Sequence, residues 1–497
     1  MQVEDKRLET GIAGFDEILN GGLPENYFYL LEGDPGAGKT TLALQFLFEG
    51  VKRGESVLYV TLSETRKELE AVARSHGWKL DAIPIYELFA ERGALSPDDH
   101  YTVFHPSDVE LADTAKTVLS EVERLSPKRL VIDSLAELRM LAREPIIYRR
   151  QILGFKHHFE GRNTTVLLLD DRTGRSPDMQ LHSIVHGVIT MEKVPREYGV
   201  TRRRLEAVKM RGMQVSEGYH DYVIRKGGLC VFPRLRASDH GKKFDIEPVS
   251  SGVKELDELL AGGIDRGTST LLVGPAGAGK STVALQFAAT ACARGERVAV
   301  FTFEESKQTF MERAKGLSID LETPQEKGLL HVSQLDPAEI SPGEFVEKIR
   351  TCVEEENTRM VIIDSLNGFL QAMPGEQFLA IQLHELLTFL NQQGVVSLMV
   401  LAQAGLIGTA MQTPVDVSYL ADTILLLRYF EAFGEVRQAI SVVKKRSGRH
   451  ERSIRELQFS STGIRVGAPL KEYQGILTGT PAFLGGTGSA GNALGDD

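Results

Sequence analysis

Gly33-Asp-Pro-Gly-Ala-Gly-Lys-Thr40 decides how this chain is read, and the chain contains it twice. Gly274-Pro-Ala-Gly-Ala-Gly-Lys-Ser281 follows at a spacing of 241 residues, Lys39 to Lys280. Both copies carry G-x-x-x-x-G-K-[ST] between an apolar run and a stretch of helical periodicity. In that pattern the glycines let backbone N–H groups turn inward and cradle phosphate oxygens at a helix N-terminus. The lysine reaches the β- and γ-phosphates, and the hydroxyl serves Mg2+. The implicated residues are Gly36, Ala37, Gly38, Lys39, Thr40 and Thr41 in the first copy. In the second they are Gly277, Ala278, Gly279, Lys280, Ser281 and Thr282.

Outward from the loops the repetition continues. Thr10-Gly-Ile-Ala-Gly-Phe-Asp-Glu-Ile-Leu-Asn-Gly-Gly-Leu returns as Ser251-Gly-Val-Lys-Glu-Leu-Asp-Glu-Leu-Leu-Ala-Gly-Gly-Ile. Arg129-Leu-Val-Ile-Asp-Ser134 returns as Met360-Val-Ile-Ile-Asp-Ser365, now 231 residues apart. A period this long is a duplicated domain, not a solenoid. The expected division is a first domain over 1–235, a polar linker over 236–247 and a second domain over 248–466. A tail over 467–497 follows, its glycine-rich end expected to be mobile.

Short apolar runs alternate with amphipathic segments. Strands are predicted at Tyr27–Glu32, Val57–Leu62, Leu130–Ile132 and Thr165–Leu169, and again at Thr270–Val273, Val298–Phe303, Met360–Ile363 and Val395–Leu401. Lys39–Arg53 reads as a helix, and Ala115, Val118, Leu119 and Val122 give another its buried face. Apolar strands without alternation, separated by such helices, imply an α/β fold with a parallel sheet covered on both faces.

Asp133 and Asp364 end apolar strands, where a Mg2+-associated carboxylate is needed beside a phosphate loop. Each copy also ends its second strand in glutamate 25 residues after the lysine, placing Glu64 and Glu305 in equivalent positions, with Glu304 beside the latter. Hydrolysis needs a group that polarises the attacking water, and the carboxyl edge of an open sheet is where such a group can act. Glu64, Glu304 and Glu305 are therefore the candidate catalytic carboxylates. Thr40, Ser281, Asp133, Asp364 and Glu305 are the candidate Mg2+ neighbours.

Composition excludes several other classes. Apolar residues make up 42% and charged residues 25%, an ordinary globular balance, and the net charge of −11 argues against a nucleic-acid coat. Three distant cysteines (Cys230, Cys292, Cys352) form neither a disulfide framework nor a zinc cluster, and they fit a cytoplasmic protein. With Gln-Val-Glu-Asp-Lys after Met1, no secretory signal is expected. The most apolar window, Val395–Met411, is interrupted by Ser397, Gln403, Gly405, Gly408 and Thr409, so no membrane span is expected. His182 and His186 stand at helical spacing without a ligand in register and read as helix-face residues. Arg202-Arg-Arg204 reads as a basic run on an edge hairpin, solvated or in contact with another subunit.

The ordered set of phosphate loop, strand-end glutamate and strand-end aspartate resembles a RecA-type ATPase core. The tandem arrangement resembles the KaiC family, the double-ring ATPase and autokinase of circadian clocks and its bacterial homologues. The resemblance runs from Thr10 to Pro481. It includes Lys209-Met-Arg-Gly212, similar to the family's K-x-R-G strand, its partner Lys444-Lys-Arg-Ser447, and Asp422-Thr-Ile-Leu-Leu-Leu-Arg-Tyr-Phe-Glu431. It implies stacked hexameric rings with ATP at each subunit boundary, and it assigns Lys209, Arg211, Lys444 and Arg446 to the neighbouring subunit's phosphates.

The resemblance further implies serine/threonine autokinase activity in the second domain, with Glu304 and Glu305 activating the acceptor hydroxyl. The family's Ser-Thr acceptor pair falls on Ser418-Tyr419, with Thr413 matching a nearby threonine, and Ser63 stands where the family carries a second glutamate. Gly475-Ile-Leu-Thr-Gly-Thr-Pro481 resembles the loop through which partner proteins tune the kinase, but a glycine-rich end replaces the charged segment expected beyond it. An activating partner of the cyanobacterial type is therefore not expected, while a signalling or clock partner of another kind stays open. The competing readings are an ATP-gated scaffold without kinase activity and a RadA-like DNA-dependent repair ATPase, the latter opposed by the acidic charge and the duplicated core.

Overall fold

The computed structural model describes residues 6–88, 106–142, 144–172, 179–196, 199–371, 379–403, 419–477 and 481–484. The chain divides into two units, Met1–Arg234 and Leu235–Asp497. In the first, the main sheet contains β1 (Phe28–Gly33), β2 (Val57–Thr61), β3 (Ile85–Glu87), β4 (Arg129–Asp133) and β5 (Thr165–Asp171). It continues with β6 (Gly187–Val194), β7 (Arg202–Met210), β8 (His220–Arg225) and β9 (Gly228–Phe232). The spatial order is β3-β2-β4-β5-β1-β6-β7-β8-β9. Strands from β3 to β6 run parallel, and β7, β8 and β9 extend the sheet in antiparallel fashion.

The second unit repeats this plan. Its strands are β10 (Ser269–Gly274), β11 (Arg297–Thr302), β12 (Leu330–Gln334), β13 (Thr358–Asp364) and β14 (Val396–Ala402). They are followed by β15 (Thr423–Ala432), β16 (Glu435–Lys445), β17 (Arg455–Ser460) and β18 (Gly463–Pro469). The order β12-β11-β13-β14-β10-β15-β16-β17-β18 is the first unit's order strand for strand.

Burial explains why the strands carry apolar residues at consecutive positions. In the first unit Tyr29, Leu31, Tyr59, Val131, Leu167 and Leu169 enter one core, with the helix Lys39–Lys52. The alternate residues Leu30, Leu58, Val60, Leu130, Ile132 and Leu168 enter the other, under the helices Pro106–Leu125 and Pro145–Phe159. Side chains of successive strand residues point to opposite faces, so a sheet covered on both sides must be apolar at every position. The second unit divides its core in the same way.

Two local features depart from the sequence expectation. Arg202-Arg-Arg204 lies on β7, which is paired on both sides and is not an edge. Arg202 Nε donates to Asp221 at 2.9 Å in a buried ion pair, and Arg204 donates to Glu192 at 2.9 Å while covering the Tyr219 ring. Pairing with β8, beyond which β9 adds a further strand, moves the run inward. The stretch read as a linker contributes to a core: Ala237 is buried in the second unit beside Leu235, and a short 3-10 turn, Ala237–His240, sits against the helix Leu379–Gln392.

Candidate nucleotide sites

Each phosphate loop is the link between the central parallel strand and the helix that covers it. In the first unit the helix Lys39–Lys52 begins at Gly38, whose φ is 101°, with no side-chain cap on its first turn. That leaves the N-terminal amides available to an anion. A Cβ on Gly38 would displace the tip of the Ile224 side chain of β8, 2.6 Å away, but it is the positive φ that calls for glycine here. Gly279 repeats this at φ 94°, where a Cβ would meet Phe459 Cζ of β17 at 2.0 Å. From β8, Tyr222 Oη donates to Ala37 O at 2.6 Å and braces the loop.

The carboxyl ends of the parallel strands bring the expected residues together. In the first site Thr40 Oγ1 donates to Asp133 Oδ2 at 3.5 Å, and Lys39 Nζ donates to Gly33 O at 3.0 Å and Asp34 O at 3.1 Å. Burial pushes the Asp133 carboxyl above the ordinary carboxylate range, opposed by hydrogen bonding from Tyr59 and the charge of Lys39. Glu64 leaves β2 in a turn held by Thr61, whose Oγ1 accepts from Glu64 N at 2.9 Å and donates to Glu64 O at 2.6 Å. Its carboxyl is pushed up to about 7, chiefly by burial and then by the charge of Asp133. Among the described residues its buried Oε2 has no hydrogen-bond partner. A carboxyl raised this far while facing a phosphate loop is suited to taking a proton near neutral pH.

The second site is wired differently. The Asp364 carboxyl is likewise raised by burial, with the Ser281 side chain opposing the shift. Lys280 Nζ donates to Pro275 O at 2.6 Å, and burial lowers its pKa. Glu305 Oε2 forms an ion pair with Arg313 at 2.8 Å. Burial raises the Glu305 carboxyl while Arg313 opposes the shift. Glu304 Oε1 accepts from Ser365 Oγ at 2.7 Å.

Three functional residues were missed by sequence reasoning. Tyr59, fully buried on β2, donates its hydroxyl to Asp133. Asp171 ends β5 with its carboxylate 2.6 Å from Lys39 Nζ. Arg313 holds Glu305. Only Asp171 left a signal, as the second of two aspartates closing an apolar run. A hydroxyl and a carboxylate at 3.5 Å, next to a glycine cradle, form a donor set that fits Mg2+ with phosphate oxygens. Among the described residues no group of three or more His, Cys, Asp or Glu side chains forms a metal site by itself.

The cations assigned to a neighbour lie away from their own loops. Met210, at the end of β7, pairs with Gly187, which pairs with Tyr29 near the start of β1, while the loop residue Gly33 pairs with Met191. Four residues separate these levels, about 13 Å along the strand, so Lys209 and Arg211 stand at the opposite edge of the sheet. Lys209 Nζ donates to Val185 O at 2.9 Å and Arg211 Nη2 to Ser183 O at 2.7 Å. Lys444 pairs with Ile424 at the start of β15, and Arg446 N donates to Asp422 O at 2.9 Å, so the second pair occupies the same edge. Arg446 Nη2 also donates to Tyr419 O at 3.0 Å, and Tyr419 is exposed. Ser418 and Thr413 lie outside the described residues.

Near the other histidine positions, His182 Nε2 lies 3.0 Å from Glu32 Oε2, and His186 stacks on Tyr27. No helix among the described residues is long and apolar enough to cross a membrane.

Comparison with known proteins converges on one family. A family model described as the KaiC ATPase matches residues 8–236 and again 249–471. The chain is 28% identical over 489 residues to the circadian clock protein KaiC3 of Synechocystis sp. PCC 6803, covering 96% of this chain and 95% of that one. It is 29% identical over 486 residues to the circadian clock oscillator protein KaiC of Parathermosynechococcus lividus, covering 96% and 88%. It is 28% identical over 486 residues to the KaiC of Thermosynechococcus vestitus, covering 97% and 93%.

Proposed function

The chain belongs to the KaiC ATPase family, and from that premise we propose that it binds Mg·ATP at both phosphate loops, hydrolyses it, and transfers phosphate to itself in the second domain. The reading is of a cytoplasmic homo-oligomer, a hexamer of stacked rings, that uses its nucleotide or phosphorylation state as a timing or signalling switch. One observation carries the assembly. Loops and candidate carboxylates occupy one edge of each sheet, while Lys209, Arg211, Lys444 and Arg446 occupy the other. A head-to-tail contact brings these edges together and closes into a ring.

In the first domain the Gly36–Thr41 loop binds the phosphates, Lys39 neutralises the β- and γ-phosphate oxygens, and Glu64 takes a proton from the attacking water. Thr40 and Asp133 in the first domain, and Ser281, Asp364 and Glu305 in the second, would hold Mg2+. When bound, the ion neutralises charge on the phosphate oxygens. Lys209 and Arg211 of the adjoining subunit stabilise charge on the transferred group. In the second domain one of the two carboxylates Glu304 and Glu305 accepts the proton of an acceptor hydroxyl, Ser418, Thr413 or Tyr419. Its oxygen bonds to the γ-phosphorus as the bond to ADP breaks. Tyr419 beside Arg446 supports this placement, since acceptor segment and trans cation then approach the same neighbouring nucleotide.

Intact mass and phosphopeptide mapping after incubation with Mg·ATP test the kinase step. Phosphate on Ser418, Thr413 or Tyr419 that is absent in Glu305→Gln is the expected result. A chain that consumes ATP yet stays unmodified would reduce the assignment to an ATP-gated double-ring scaffold.

A further inference from the structure

The two phosphate loops share five of their eight residues, and different residues also stand across the sheet from them. Gly33, the first loop residue, pairs with Asp171 on β5, whereas Gly274 pairs with Ala402 on β14. One loop faces a carboxylate and the other a methyl group. The carboxylate is engaged: Asp171 Oδ1 lies 2.6 Å from Lys39 Nζ. An ammonium has three N–H bonds, and those of Lys39 are directed at Gly33 O, Asp34 O and Asp171. Among the described residues Lys280 forms no ion pair and donates to Pro275 O.

We propose that Asp171 competes with the terminal phosphate of the nucleotide for Lys39 and so weakens Mg·ATP binding at the first site. This rests on the reading of both loops as ATP sites and adds a difference between them. To serve a γ-phosphate, Lys39 gives up its shortest contact, and the freed carboxylate stays close to the incoming negative charge. The same carboxylate acts on Glu64 and Asp133 and so adds to the negative field that the phosphate enters. In the second site the position equivalent to Asp171 contributes no charge. The Asp171 side chain is 37% exposed, so solvent screens the repulsion and the expected effect is moderate.

The test is equilibrium titration of the full chain with a fluorescent N-methylanthraniloyl ATP in Mg2+, with the second site silenced by Lys280→Ala. Asp171→Asn is expected to tighten binding at the first site about three- to tenfold, and Asp171→Glu to leave it weak. The reciprocal change, Ala402→Asp in a Lys39→Ala chain, is expected to weaken the second site by a similar factor. Weaker binding in Asp171→Asn would make Asp171 a supporter of the phosphate or its metal ion and overturn the proposal. Unchanged binding would also overturn it. Should Lys280→Ala fail to fold, Asp171→Asn in the otherwise unaltered chain must tighten only one of two binding classes. Absence of ATP binding by the unaltered chain would contradict the nucleotide reading itself, whereas binding that ignores Asp171 contradicts only this proposal.

Discussion

Tyr59→Phe removes one oxygen from the centre of the first unit and tests how the Mg2+-side carboxylate is held. Tyr59 is fully buried and its hydroxyl donates to Asp133 Oδ2, while Asp133 itself is 6% exposed. A hydrogen bond to a charged acceptor contributes about 1.5–3 kcal/mol, and its loss leaves a buried carboxylate with less compensation. Thr40 Oγ1, at 3.5 Å, is too distant to replace it. The expected destabilisation is therefore about 1.5–3 kcal/mol, or about 3–12 °C in Tm for a unit of this size.

The assay is specific because the chain has a single tryptophan, Trp78, and it packs in the first unit against Phe48 and His76. Its fluorescence during urea unfolding reports that unit alone. A double-mutant cycle of Tyr59→Phe with Asp133→Asn is expected to give a coupling of about 1.5–3 kcal/mol. Zero coupling, or a Tyr59→Phe chain as stable as the original, would refute the reasoning. The second unit has Val300 at the equivalent position, so its unfolding should not respond.

Three further perturbations follow from the same geometry. Gly38→Ala and Gly279→Ala combine a positive φ with a Cβ collision, so each is expected to weaken ATP binding at its own loop about tenfold or more, read by nucleotide titration. Arg129, 0% exposed, donates to Glu55 at 2.6 Å, Glu9 O at 2.7 Å and Phe46 O at 2.9 Å. Arg129→Ala is expected to cost about 3–5 kcal/mol in Trp78-monitored unfolding. Glu64 has a folded pKa raised to about 7 from 4.5, so the folded form holds its proton more tightly than the unfolded chain. Its contribution is fully present below about pH 4.5 and is lost as pH rises through 7. Glu64→Gln should therefore gain stability over the original progressively between those values in urea titrations. A constant difference across that window would contradict the raised pKa.

The loops, the duplication and the parallel strands were legible because each is local. A G-x-x-x-x-G-K-[ST] run fixes its own turn, and an apolar strand such as Leu130–Ile132 identifies itself whatever surrounds it. Asp133 and Glu64 were also accessible, since the end of a strand is a position along the chain. The residues that distinguish the two sites depend on pairing across the sheet. Tyr59 looks like any apolar strand residue until β4 places Asp133 within reach of its hydroxyl. Asp171 acquires meaning only from its register with Gly33. The Arg202–Arg204 run was misplaced for the same reason, because its position inside the sheet is set by its pairing with β8.

Hydrolysis at loops completed by a neighbouring subunit is tested most directly by mixing two deficient chains. One carries Lys39→Ala and Lys280→Ala, and lacks loop lysines. The other carries Lys209→Ala, Arg211→Ala, Lys444→Ala and Arg446→Ala, and lacks the cations of the opposite edge. Each alone is expected to hydrolyse ATP at a small fraction of the original rate, and co-assembled mixtures should recover turnover at boundaries where an intact loop meets an intact cation pair. A cation-deficient chain that hydrolyses ATP at the original rate on its own would contradict catalysis shared between subunits.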